Sequence, residues 1–98
     1  MLTGKQRAYL RGLANNISPI FQIGKNGVEE NFLIQVSQAL EARELIKIKV
    51  LENSGLDTRE TSDKICKALK CEGVQAIGNK ITLYKKSKNK PKIELPNK

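Results

Sequence analysis

The chain contains no histidine and no tryptophan, and only two of its 98 residues are cysteine. Without histidine, the Ser-His-Asp and Cys-His nucleophile pairs and histidine-held metals are excluded. Two thiols alone make no zinc site. Cys66 and Cys71 are five apart in a helical pattern, which sets them about 140° apart around the axis and makes them a poor disulfide pair. No acidic cluster has the spacing of a magnesium site, and no Gly-Lys-Ser/Thr completes a P-loop. Lys25 or Lys80 could serve as an activated amine only in a desolvated setting, which nothing around them suggests. The sequence therefore predicts no enzyme, no cofactor, no metal and no small-molecule substrate.

Aromatic residues are scarce too: Tyr9, Phe21, Phe32 and Tyr84 are all there are. The first three fall on core positions and leave Tyr84 alone for stacking, which argues against an RRM-like aromatic platform. Long apolar runs are also missing. The longest, Leu45 to Leu51, is interrupted by lysines, so no membrane span is predicted. The N-terminus has no apolar h-region followed by a small-residue cleavage site. The expectation is a cytoplasmic protein with no membrane partner, built as one domain over residues 1–98.

What the chain has is positive charge, +8 in all, held at its two ends. Residues 1–27 carry Lys5, Arg7, Arg11 and Lys25 and no acid, residues 28–79 are slightly acidic, and residues 80–98 hold seven lysines against Glu94. Basic ends that meet in the fold present one positive face, the footprint of a nucleic-acid binder.

The stretch Ile20-Phe21-Gln22-Ile23-Gly24-Lys25-Asn26-Gly27-Val28 organises the rest. A short apolar strand ends in a glycine-framed basic turn, and a helical pattern starts at once. Glycines allow positive φ and close approach of another backbone, and the first amides of a helix lack intrahelical partners. A phosphate suits such a place, though a plain strand-to-helix turn has the same pattern. Glu29 and Glu30 in the first helical turn argue against a simple dipole site, so the positive charge must come from Lys25 and neighbouring elements.

Ahead of that stretch the spacing predicts a helix from Leu2 to Asn15. Thr3 and Gln6 form a capping box, Leu2, Tyr9, Leu10 and Leu13 share a face, and Arg7 and Arg11 point the other way. After it come a helix from Val28 to Glu44 and a strand from Ile46 to Val50, whose alternation puts Lys47 and Lys49 on one face. Such a face suits a sheet covered by helices on one side only. A helix from Asp57 or Thr58 to Lys70 follows, with Thr61, Ile65, Ala68 and Leu69 as its stripe. A hairpin of Val74–Ile77 and Ile81–Lys85 turns at Gly78-Asn79-Lys80. The segment Lys86–Lys92 is lysine-rich and too polar to pack, while Ile93 and Leu95 can anchor the end. The order α-β-α-β-α-β-β gives a compact two-layer α/β domain with a four-stranded mixed sheet.

Several stretches resemble the bacterial YhbY family, which consists of a single CRM domain: Leu2-Thr3-Gly4-Lys5-Gln6-Arg7, Leu10-Arg11-Gly12-Leu13-Ala14, and Ile23-Gly24-Lys25-Asn26-Gly27. So do Ala39 to Val50, Gln75-Ala76-Ile77-Gly78-Asn79-Lys80, Leu83-Tyr84-Lys85 and Lys92-Ile93-Glu94-Leu95-Pro96. The match covers nearly the whole chain in order and spacing. The resemblance implies a fold similar to the C-terminal domain of bacterial translation initiation factor three. It also implies RNA binding, with Gly24 to Gly27 playing a part like the Gly-x-x-Gly of KH domains, and association with precursors of the large ribosomal subunit. Asn15 stands where the family often has histidine, and Lys85 where it often has arginine, whose bidentate fork lysine lacks. The candidate RNA-binding residues are Gly24, Lys25, Asn26 and Gly27, flanked by Lys5, Arg7 and Arg11, with Lys80, Lys85 and the tail lysines as weaker candidates, and Lys47 and Lys49 joining them if the sheet face is open. A stoichiometric ribosomal protein or a general RNA chaperone would share this charge and size.

Overall fold

Thr3 starts the first helix as its side chain dictates. Its hydroxyl accepts the Gln6 N–H at 3.1 Å, and Gln6 Oε1 accepts the Thr3 N–H at 3.0 Å. Helix α1 then runs Gly4–Ala14 in the computed structural model, which describes residues 2–97. The remaining elements are β1 (Phe21–Ile23), α2 (Glu30–Arg43), β2 (Leu45–Val50), a 3₁₀ turn (Glu52–Ser54), α3 (Thr58–Leu69), β3 (Glu72–Ile77) and β4 (Lys80–Tyr84). Asp57 caps α3 by accepting the Glu60 N–H at 2.9 Å.

The strands form one four-stranded sheet in the order β1-β2-β4-β3. β1 and β2 are parallel, as a β-α-β crossover requires, whereas β4 is antiparallel to both β2 and β3. Strand periodicity divides the core in two. Ile46, Ile48 and Val50 pack with Ile81 and Leu83 under α2 and α3, joined by Val36, Leu40 and Ile65. Leu45, Val74 and Tyr84 point to the other face and meet Leu10 and Ala14 of α1. The lysine-bearing face expected to be open is thus covered by α1 at its Leu45 end. Alternation along β2 reveals which residues share a face, not which helix the chain folds over it.

Two aromatic expectations fail for the same reason. Tyr9 is 43% exposed, because α1 turns Leu10 and Ala14 inward instead, and Tyr84, the one residue reserved for stacking, is only 4% exposed. Burial, with Glu44 nearby, raises the Tyr84 phenol's pKa.

The segment expected to be too polar to pack is held by its backbone. Glu44, fully buried and at φ 67°, ends α2. Its carboxylate accepts the N–H groups of Ser87, Lys92 and Ile93 at 2.6–2.8 Å. One turn earlier, Glu41 accepts the Lys88 and Asn89 N–H groups and the Ser87 hydroxyl. Ile93 and Leu95 then pack beside α1, and Gln6 donates to the Pro96 carbonyl at 3.0 Å. Among the lysine side chains of the segment, the Lys92 ammonium reaches the Ala42 carbonyl, and the charges of Lys86 and Lys88 favour the ionised Glu44 and Glu41 carboxylates.

Both cysteines are free thiols, but the separation expected from a continuing helix does not hold. The helix ends at Leu69, Lys70 takes the left-handed conformation, and the Cys71 N–H returns to the Cys66 carbonyl at 3.2 Å. This closure brings together the residues that normally make the apolar contact of a Schellman motif. Interaction between the two thiols holds the Cys66 thiol down, while the same interaction and burial push Cys71 up.

Candidate nucleic-acid interface

Gly24 to Gly27 form a tight turn at the end of β1, closed by the Gly27 N–H donating to the Gly24 carbonyl at 3.0 Å. Only Gly27 needs glycine for its backbone, at φ +69°. A Cβ on Gly24 would meet only Leu51 Cδ1, at an ordinary 3.7 Å. The helix does not start at once: Val28 and Glu29 intervene, Glu29 makes no side-chain cap, and α2 begins at Glu30. The turn is braced on both flanks by Phe21 before it and Phe32 after it, whose rings meet edge-to-face with centroids 5.7 Å apart. Lys25 and Asn26 stand exposed at its tip.

The register shows what lies beside this turn. Ile23 pairs with Val50, Lys49 with Lys80, and Ile77 with Lys80, so the loop, the end of β2 and the β3–β4 hairpin share one end of the sheet. The Leu51 N–H donates to the Ile23 carbonyl at 2.9 Å and the Val50 N–H to the Asn79 carbonyl at 2.7 Å. The Thr58 hydroxyl donates to the Gly78 carbonyl at 2.8 Å and brings the start of α3 to the same end. A shallow depression lined by Lys49, Leu51, Asn53 and Asn79 lies among these turns, with Glu52 the one carboxylate on its wall.

The candidate residues fall in four places. Gly24, Lys25, Asn26, Gly27 and Lys80 come together at this end. Arg7 and Arg11 lie elsewhere, in a groove along the outer edge of β3, where the Arg7 guanidinium donates to the Gly73 carbonyl. Since β1 and β3 are opposite edges of the sheet, that groove and the glycine turn are separated by the full width of the strands. Lys5 is exposed on the first turn of α1. Lys85 lies at the far end, with its ammonium donating to the Leu69 carbonyl at 2.9 Å, where it caps the last turn of α3.

Two further basic residues join these sites: Lys49, expected only for an open sheet face, and Arg59, not expected at all. Lys49 stands opposite Lys80 across the β2–β4 ladder. Its alternation put it on the lysine face, but only the pairing register reveals its partner. Arg59 shares the groove with Arg7 and Arg11. No local signal marks it, because the proximity of α3 to α1 across β3 is a product of topology. Among the described residues no cluster of acidic, cysteine or histidine side chains is arranged to hold a metal, and no helix is long and apolar enough to cross a membrane.

Comparison with known proteins agrees with this architecture. The family model described as the CRS1/YhbY (CRM) domain matches residues 2–85. A Bacillus subtilis protein, named as probable RNA-binding protein YqeI, is 50% identical over 96 residues, covering 98% of this chain and all of the relative. A Haemophilus influenzae protein named as RNA-binding is 41% identical, covering 99% of this chain and 97% of the relative. The solution structure of a Staphylococcus aureus protein, described as a candidate RNA binder, superposes with a TM-score of 0.82 at 52% identity, covering 98% of this chain and 100% of that one. With the family model spanning most of its length and the same fold in a close relative, the chain belongs to the CRS1/YhbY (CRM) domain family.

Proposed function

We propose that this protein is a non-catalytic, cytoplasmic RNA-binding factor that associates with ribosomal RNA in precursors of the large ribosomal subunit. The observation that carries the reading is the shared sheet end: a braced glycine turn with Lys25 and Asn26 at its tip, beside Lys49 and Lys80. A backbone that offers little side-chain bulk lets a sugar-phosphate strand come close, and the surrounding ammonium groups neutralise it. Gly24 and Gly27 provide the close approach, Lys25 and Asn26 contact phosphate or sugar, and Lys80 with Lys49 extends the positive surface. Arg7, Arg11 and Lys5 add charge from α1. Lys85, occupied at the end of α3, supports the fold rather than the RNA. With Tyr84 buried and Tyr9 alone on α1, recognition rests on phosphates and RNA shape, not on base stacking. The names of the relatives, all of RNA-binding proteins, support the class of partner.

A sucrose-gradient profile of cell lysate, probed for the protein across ribosomal fractions, tests this reading. The expected result is enrichment in particles slightly lighter than the mature large subunit and absence from translating ribosomes. Retention in translating ribosomes would make the protein a ribosomal constituent. Recovery only at the top of the gradient would refute the ribosomal assignment.

A further inference from the structure

The groove that holds Arg7 and Arg11 is a larger feature than the two residues suggest. It has a volume of about 520 Å³ and runs between α1 and α3 along the backbone of β3 from Gly73 to Ile77. Arg59 enters it from the first turn of α3, the turn that Thr58 ties to the hairpin at Gly78. Ser62 is on its wall, and Asp63 is the one carboxylate that lines it.

Three guanidiniums against one carboxylate select an anion. Arginine stays charged at any accessible pH, and its planar fork matches the oxygens of a phosphate. Arg7 is held in place by its donation to the Gly73 carbonyl, and with five N–H donors in all it keeps others for a ligand. Ordering it on binding therefore loses little side-chain entropy. The groove walls are backbone, hydroxyl and guanidinium, a poor environment for an apolar ligand.

We propose that this groove is a second phosphate-binding site, which takes the sugar-phosphate backbone of the same RNA strand that engages the glycine turn. Arg59 is the residue that links the two sites. The inference rests on the RNA-binding reading above and adds a path to it. The strand leaves the turn at the end of β1, crosses the sheet end past Lys49 and Lys80, and enters the groove at Arg59 beside the hairpin. The two outer strands are three strand spacings apart, about 14 Å. An oligonucleotide too short to cross that width can occupy one site only. A longer one occupies both, and the second contact forms at high effective concentration.

The experiment is a length series of single-stranded RNA oligonucleotides, titrated against the wild-type protein, Arg59→Gln and the double variant Arg11→Gln/Arg59→Gln. In the wild type, affinity should rise in a step once the strand spans the sheet end. In Arg59→Gln the step should shrink while oligonucleotides too short to cross the sheet end bind within about twofold of wild type, and in the double variant the step should vanish. Its log-log salt slope on long RNA should fall by about 1.4, for two lost single-strand phosphate contacts. Arg59 is exposed, so Arg59→Gln alone carries the test if the double variant folds poorly. A length step that survives in the variants overturns the groove proposal and leaves RNA binding at the turn intact. Failure of the wild type to bind RNA of any length overturns the RNA reading itself. Titration with inorganic phosphate separates the remaining source: saturable binding of free phosphate by the groove, without any length step, assigns it to a small anion and overturns the proposed path.

Discussion

Lys49 and Lys80 stand opposite one another across the antiparallel ladder of β2 and β4, with the turn at Gly24–Gly27 at the same end of the sheet. Like charges directly opposite across a ladder repel and weaken the pair. A polyanion lying across both removes that repulsion. Lys49→Gln and Lys80→Gln should each lower the log-log salt slope of RNA binding by about 0.7 while leaving folding stability unchanged or slightly raised. Salt-dependent binding isotherms together with urea denaturation check both halves. An unaltered slope would remove the two lysines from the interface.

The two loop glycines should separate on substitution. Gly27 sits at φ +69°, so Gly27→Ala should destabilise the protein by about 1 kcal/mol through backbone strain. Gly24 has ordinary space for a Cβ, so Gly24→Ala should change stability by less than about 0.5 kcal/mol. If an RNA backbone approaches Gly24, Gly24→Leu should weaken RNA binding at nearly native stability. Denaturant midpoints and RNA affinities on the same samples make the comparison. Native affinity in a folded Gly24→Leu/Gly27→Leu double variant would sink the cradle.

Glu44 gathers three backbone N–H groups onto one buried carboxylate. Glu44→Ala strands those donors and should destabilise the protein by about 3 kcal/mol, far more than a surface charge removal would. Glu44→Gln, which keeps an acceptor oxygen, should lose less. Urea unfolding measures both, and equal small losses would show that residues 87–93 add little to the fold.

The same carboxylates set an acid limit. Burial opposes ionisation of Glu44, but the N–H groups of Ser87, Ile93 and Lys92 outweigh it and hold its pKa below the ordinary 4.5. Glu41 is lowered as well, by the Lys88 N–H, the Ser87 hydroxyl and the Asn89 N–H. A depressed folded pKa gives stability that is complete above the unfolded value and lost as pH falls through the folded one. The anchoring of residues 87–93 should therefore be insensitive between pH 7 and pH 5 and weaken below about 4.5. Amide exchange of Ser87, Lys88 and Ile93 across that range reports it directly.

Cys66 and Cys71 should react unequally. Cys66 is partly exposed with its thiol held down by its interaction with Cys71, whereas Cys71 is buried and pushed up. An alkylating reagent on the folded protein should modify Cys66 well before Cys71. Peptide mapping by mass spectrometry decides it, and equal labelling would contradict the geometry at the end of α3.

Element order, the capping box at Thr3, the parallel β1–β2 pair and the place of the hairpin were legible in the sequence, because each is set by local chemistry or by chain connectivity. The hairpin's loop is one residue shorter than expected, since Lys80 already belongs to β4. What was not legible is long-range. Nothing near Arg59 in the chain announces Arg7 and Arg11, and nothing near Lys85 announces the carbonyl of Leu69. The charged segment after Tyr84 reads as unpacked because its side chains are polar. Its order comes from peptide N–H groups, which every sequence except proline supplies, and from two acids more than forty residues earlier. Five-residue spacing misled at the cysteines for a related reason: a helical wheel holds only while the helix does, and Lys70 ends it.

The acid pair at the end of α2 also orders events during synthesis. A ribosome delivers Glu44 well before Ser87, which follows 43 positions later. Until then the carboxylate destined for the interior has no N–H partners and keeps its water. The positive-φ bend at Glu44, where α2 meets β2, therefore lacks these partners until the last residues of the domain are delivered. Full burial of that one side chain thus depends on residues 87–93 being present.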